Sequence, residues 1–131
     1  MIIVDSSVWI DYFNGRQTPQ TDKLDDLLGV ELLGIGDLIL TEVLQGFRDD
    51  KDYCKAKAVL TSLNVLNMLD TDLAIRSADN FRNLRKQGIT VRKTNDVIIA
   101  TYVIEHGHHL LFADKDFIPF VNLLGMNGIK C

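Results

Sequence analysis

The chain has little cysteine, few aromatics and no long apolar run. Two cysteines in 131 residues, Cys54 and Cys131, make neither a disulfide framework nor a zinc spacing, so both are expected as reduced thiols. No apolar segment reaches the roughly 18 residues needed to cross a bilayer. The first residues also lack the basic region and small-residue cleavage site of a signal peptide. A cytoplasmic protein with no membrane contact is expected. A glycine-rich phosphate loop, an internal repeat, a low-complexity stretch and a linker are all missing. What is present is globular: 47% hydrophobic and 24% charged residues exclude a disordered chain. The length suits one domain over residues 1–131 around one core.

The net charge of -4 argues mildly against a general nucleic-acid binder, because phosphate contacts need lysine and arginine. Its distribution is uneven. Arg76, Arg82, Arg85, Lys86, Arg92 and Lys93 stand against Asp79 alone in one stretch, which makes a basic face on an acidic body.

Short β-branched or apolar runs alternate with helical patterns throughout. Ile2 to Val4 reads as a strand covered on both faces, followed by a helix over Val8, Trp9, Ile10 and Phe13 that Asn14-Gly15 stops. Residues 16 to 20 read as loop, with a helix from Thr21-Asp22 through Leu28. Leu38 to Leu40 is the expected second strand, leading straight into a helix at Glu42, and residues 52 to 63 suit a helix before a strand around Val65 to Leu69. Asp70-Thr71-Asp72 caps a long helix that ends at Gly88. An extended Ile89 to Val91 leads to Thr94-Asn95-Asp96 and a helix through Glu105. Strands at Leu110 to Phe112 and Gly128 to Lys130 flank a short helix after Asp114. This alternation predicts an α/β fold with a central parallel sheet between two helical layers.

In such sheets ligands bind outside the carboxyl ends of the strands. Asp5 follows the first strand, Glu42 the expected second and Asp114 the fourth, while Asp96 opens the helix before Leu110. Each acid alone is better explained as helix-start or turn chemistry. Together they would repel one another and call for positive charge. Lys115 is the only cation expected at these turns, so an all-oxygen set suited to Mg²⁺ or Mn²⁺ is the alternative to ion pairing. Such ions activate water and stabilise leaving oxygens in phosphoryl chemistry.

The stretches IIVDSSVWIDYFNG, LTEVLQGF, LDTDLAIRSADNFRNLRKQGITVRKTNDVIIA and LLFADKDF resemble, in order and spacing, the PIN-domain ribonucleases, and within them VapC-type toxins of toxin–antitoxin pairs. The resemblance covers nearly the whole chain. It implies a three-layer α/β/α fold and a Mg²⁺- or Mn²⁺-dependent endoribonuclease that hydrolyses RNA with metal-activated water, leaving a 5′-phosphate and a 3′-hydroxyl. Asp5, Glu42, Asp96 and Asp114 fall on the family's acidic positions, with Asp5 and Asp96 as principal ligands. Asp116 matches a more variable acid, and Ser7 a small hydroxyl residue that supports the site. Phe112 stands where many relatives carry threonine. The resemblance also implies a homodimer and a small antitoxin partner, with the apolar helices near residues 10 to 60 as candidate surfaces for it.

Arg82, Arg85, Lys86, Arg92 and Lys93 are candidates to hold an RNA backbone, against the alternative of a solvated helix face. His106, His108 and His109 lack a metal-motif spacing and are expected as exposed loop residues. Trp9, Tyr12 and Phe13 are expected in the core or at a dimer contact. An aspartyl phosphatase would want an acid where Ser7 stands, and a receiver domain would want paired acids after the first strand. The remaining rival is a catalytically silent PIN-like interaction module whose acids serve only as caps. Convergence of the four carboxylates in space separates the two.

Overall fold

The computed structural model describes residues 1–131. Five short strands, β1 (Ile2–Val4), β2 (Leu33–Gly36), β3 (Asn64–Leu66), β4 (His109–Leu111) and β5 (Asn127–Gly128), form one sheet in the order β3-β2-β1-β4-β5. All neighbouring pairs are parallel, with Ile3 opposite Gly34 on one side and Leu110 on the other. The chain steps outward from β1 to β3, then returns to lay β4 on the free side of β1. This reversal creates a crevice at the carboxyl ends of β1 and β4.

Seven helices cover the sheet: α1 (Ser6–Phe13), α2 (Pro19–Leu27), α3 (Asp37–Leu44), α4 (Asp50–Thr61), α5 (Thr71–Lys86), α6 (Thr94–Glu105) and α7 (Ile118–Leu124). Right-handed crossovers place α1 to α4 on one face and α5 to α7 on the other. Their starts follow from local chemistry. Asp5, Asp49 and Asp70 each accept a backbone N–H in the first turn of α1, α4 and α5, and Thr18 and Thr21 form a reciprocal capping box around Pro19 in α2. Gly88, at φ 84°, follows α5 where the sequence places its stop.

The core is one cluster of 26 residues, with Trp9, Phe117 and Phe120 among the largest fully buried side chains. Helix α6 is buried continuously from Asp96 to Val103, as a helix enclosed on nearly all sides must be. That enclosure is what takes the Asp96 carboxyl out of water.

Several expected boundaries move. Leu38 to Leu40 lie inside α3, and the second strand is Leu33-Gly34-Ile35-Gly36. Space favours glycine there: a Cβ on Gly34 would come 2.5 Å from the Met1 sulfur, and one on Gly36 would land on the Met68 thioether, so either methionine side chain would have to move. Glu42 therefore does not follow a strand; it stands in the second turn of α3. The third strand ends at Leu66, leaving Leu69 half exposed. Ile89 to Val91 pairs with no strand, α2 begins at Pro19, and the last strand is Asn127–Gly128.

Candidate active site

Asp5 is delivered by β1 directly into the crevice. Its backbone N–H donates to Leu111 O of β4 at 2.9 Å, and its carboxylate begins α1. The Ser7 N–H and hydroxyl both donate to Asp5 Oδ2, at 3.1 and 2.6 Å. The same hydroxyl accepts from the Ala113 N–H at 3.3 Å. Ser7 thus ties the end of β1 to the end of β4 and fixes the orientation of the acid.

Asp114 opens the 3₁₀ turn Lys115–Phe117, its Oδ1 accepting from the Asp116 N–H at 2.9 Å. Phe112 packs on Phe117, 5.4 Å between ring centroids. The hydroxyl that meets the end of β4 is that of Ser7. Asp96 enters from the first turn of α6, and Glu42 from the edge of the buried Ile39 and Val43 face of α3.

Asp96, Asp114 and Asp116 each offer a carboxylate oxygen within 4.8 Å of the others. Asp5 and Glu42 lie outside that trio but are joined to it by charge. Burial raises the Asp5 carboxyl above its usual range, Ser7 opposes the shift and Asp114 adds to it. Glu42 is raised by burial and then by Asp5. Asp96 is pushed up to about 7 by burial, with Asp5 and Asp114 adding repulsion. Only 3% of Asp5 and 4% of Asp96 is exposed. Asp5 Oδ1, Glu42 Oε1 and Asp96 Oδ2 are buried with no hydrogen-bond partner. Capping does not account for this, because Asp5 caps through its other oxygen and α6 has no side-chain cap at all. Unpartnered buried carboxylate oxygens on an all-oxygen edge fit a hard divalent cation.

The nearby positive charge comes from an unexpected place. Lys115 is exposed and takes part in no ion pair. Instead Lys93 Nζ lies 3.5 Å from Asp114 Oδ2 and an Arg92 guanidinium nitrogen 3.9 Å from Asp116 Oδ1. The Lys93 ammonium is held protonated above its usual range by Asp114 and Asp96. A sequence signal existed, since Lys93 precedes Asp96 by only three residues, but its partner is remote in the chain.

Helices α5 and α6 run antiparallel, as the Arg76–Glu105 ion pair and the Asn80–Thr101 hydrogen bond show. The exposed Arg82, Arg85 and Lys86 therefore sit toward the α6 N-terminus, with Arg82 and Thr94 lining one groove. Arg76 stays at the far end, paired with Asp72 and Glu105. His106 is exposed and stacks on Tyr102 at 4.0 Å, with His108 half-buried beyond it. Trp9 is fully buried, and Tyr12 and Phe13 pack partly buried against the core.

Comparison with known proteins gives the family and the fold. The sequence matches the family profile of the PIN domain over residues 2–120. It is 32% identical over 119 residues, 89% of each chain, to VapC ribonuclease Mb1587 of Mycobacterium bovis and to the same extent to ribonuclease VapC11 of Mycobacterium tuberculosis. In three dimensions it is similar to the Rickettsia felis VapBC2 structure, solved bound to a DNA fragment from its promoter. There the TM-score is 0.75 at 16% identity, covering 98% of both chains. The sheet order and its two helical layers define a three-layer α/β/α class. This chain belongs to the PIN-domain family.

Proposed function

We propose that this protein is a Mg²⁺- or Mn²⁺-dependent endoribonuclease acting as the toxin of a toxin–antitoxin pair. The observation that carries the proposal is the set of three buried carboxylate oxygens, on Asp5, Glu42 and Asp96, that no protein donor satisfies. Asp5 and Asp96 serve as principal ligands, and Glu42 and Asp114 complete the shell directly or through water, with Asp116 adjoining. When bound, the ion would supply neutralising charge and lower the pKa of a water, making hydroxide available to attack phosphorus. Ser7 keeps Asp5 turned toward the ion. The cations Arg82, Arg85, Lys86, Arg92 and Lys93 bind phosphates of the RNA backbone, which positions the strand without selecting its sequence. RNA as the substrate is supported by the curated relatives, which are named ribonucleases.

No helix is long and apolar enough to cross a membrane, in keeping with work in the cytoplasm. A small antitoxin is the proposed partner. Its supporting surface is the apolar groove of α1, α3 and α4, where Ile10 and Val59 are more than two-fifths exposed beside Phe13 and Phe47. Assembly into a homodimer belongs to the same proposal, and sedimentation of the purified protein checks it.

The test is cleavage of RNA by purified protein in EDTA, Mg²⁺ and Mn²⁺. Cleavage is expected only with the ions, and Asp5→Asn and Asp96→Asn are expected to abolish it while circular dichroism stays unchanged. Full activity in either variant would overturn the site. No cleavage under any condition would favour the silent interaction module.

A further inference from the structure

Lys93 stands over the acidic edge in a way that phosphate binding alone does not require. It comes from the segment that enters α6, three residues before Asp96, and places its ammonium 3.5 Å from Asp114 Oδ2. Its side chain is 63% exposed, so charge and not packing holds it there. Arg92, 83% exposed, makes the looser parallel pair with Asp116. Lys115 flanks both acids in sequence yet pairs with neither. The placement is therefore particular to the α6 entry.

We infer that Lys93 is a displaceable counter-ion, which holds Asp114 while the site lacks a divalent cation and passes to an RNA phosphate when the cation takes that carboxylate. The inference rests on the metal-dependent reading above. The ammonium and the cation compete for one carboxylate, and the carboxylate and an RNA phosphate compete for one ammonium. Sharing a lysine between the two competitions makes cation and RNA binding favour each other. Lysine suits the exchange, being a point charge on a flexible stem and not a fork fixed to one partner. An exposed ion pair is weak, so its release is no barrier. The same residue would thereby shield the buried acids from one another in the metal-free protein and hold substrate in the loaded one.

Two measurements on the full chain test this, with Lys93→Met and, as a charge control, Lys115→Met. Both residues are exposed, and retained folding is checked by circular dichroism. In calorimetric titration with Mn²⁺ and no RNA, Lys93→Met should tighten binding about three- to five-fold, the scale of a lost surface pair. Lys115→Met should change it by less than about two-fold, as a screened charge without a partner does. The second measurement is the binding of a fluorescein-labelled oligouridylate, its intactness verified on a gel. With Ca²⁺ present, Lys93→Met should weaken binding and reduce the salt slope by about 0.7, one phosphate contact on a single strand. In EDTA, where Asp114 competes for Lys93, the same variant should weaken binding by about three- to five-fold less, the reciprocal of its effect on Mn²⁺. Equal Mn²⁺ affinities for the two variants, or equal loss of RNA binding with and without Ca²⁺, would overturn the inference and leave the metal site standing. Failure of the wild-type protein to take up Mn²⁺ would instead remove the metal reading, and the inference with it.

Discussion

Asp96 decides how the site responds to pH. Its carboxyl sits at about 7 in the folded chain, against a usual 3.8, so between those values the folded state holds a proton that the unfolded state has released. Stability of the metal-free protein must then fall as pH rises from about 4 through about 7. Asp5 and Glu42, also raised, act in the same direction. In EDTA, thermal unfolding should show a lower Tm near pH 8 than near pH 5.5, and Mn²⁺ at the higher pH should recover it. A Tm that rises with pH in EDTA would contradict the burial of these acids. Because the ion must displace the Asp96 proton, Mn²⁺ affinity should also weaken below about pH 7. Ser7 gives a second expectation. Its hydroxyl orients Asp5, so Ser7→Ala should lower Mn²⁺ affinity or turnover by about ten- to a hundred-fold, the usual effect of removing a group that supports a ligand. Calorimetry on the folded variant checks it.

Among the elements, those with chemistry at their ends were legible in the sequence. Helices α1 and α5 lie close to where capping residues and apolar spacing place them, because caps and periodicity are local properties of the chain, whereas α6 spans its expected residues without a side-chain cap. Strand β2 was not legible. Its two glycines read as punctuation, and the neighbouring Leu-Ile-Leu looked more like a buried strand than Leu-Gly-Ile-Gly. The true strand pairs with β1 and β3 and its glycines leave room for the Met1 and Met68 side chains, which no local pattern expresses. Gly36→Val should therefore destabilise the protein by about 1–3 kcal/mol through overpacking. In a Met68→Ala background the added loss should be smaller, because the clashing side chain is gone. Urea denaturation of the four proteins measures the coupling, and strict additivity would argue against the contact.

At the scale of the whole molecule, the acidic edge and the α1–α3–α4 groove occupy separate regions. The acids and their cations gather where β1 and β4 end, whereas the exposed apolar residues of α1 and α4, with Phe47 just after α3, make a groove of their own. Ile10→Asp and Val59→Asp should each weaken capture of the cognate antitoxin by about ten-fold or more, as charges placed in an apolar interface do. RNA cleavage by the isolated protein should be unchanged. Pull-down paired with the cleavage assay separates the two effects, and loss of cleavage in these variants would show that the regions are not independent.

The amino-acid order by itself determined the α/β alternation, most helix starts and which acids were candidates, because each depends on side chains a few positions apart. Tertiary structure alone decided that Glu42 stands in the second turn of α3, away from any strand end, and that Asp96 is enclosed by α6 packing. It also made Lys93, not Lys115, the cation at Asp114. These outcomes depend on burial and on charges brought together from separate elements of the chain, and both come into being only when the sheet closes and the helices cover it.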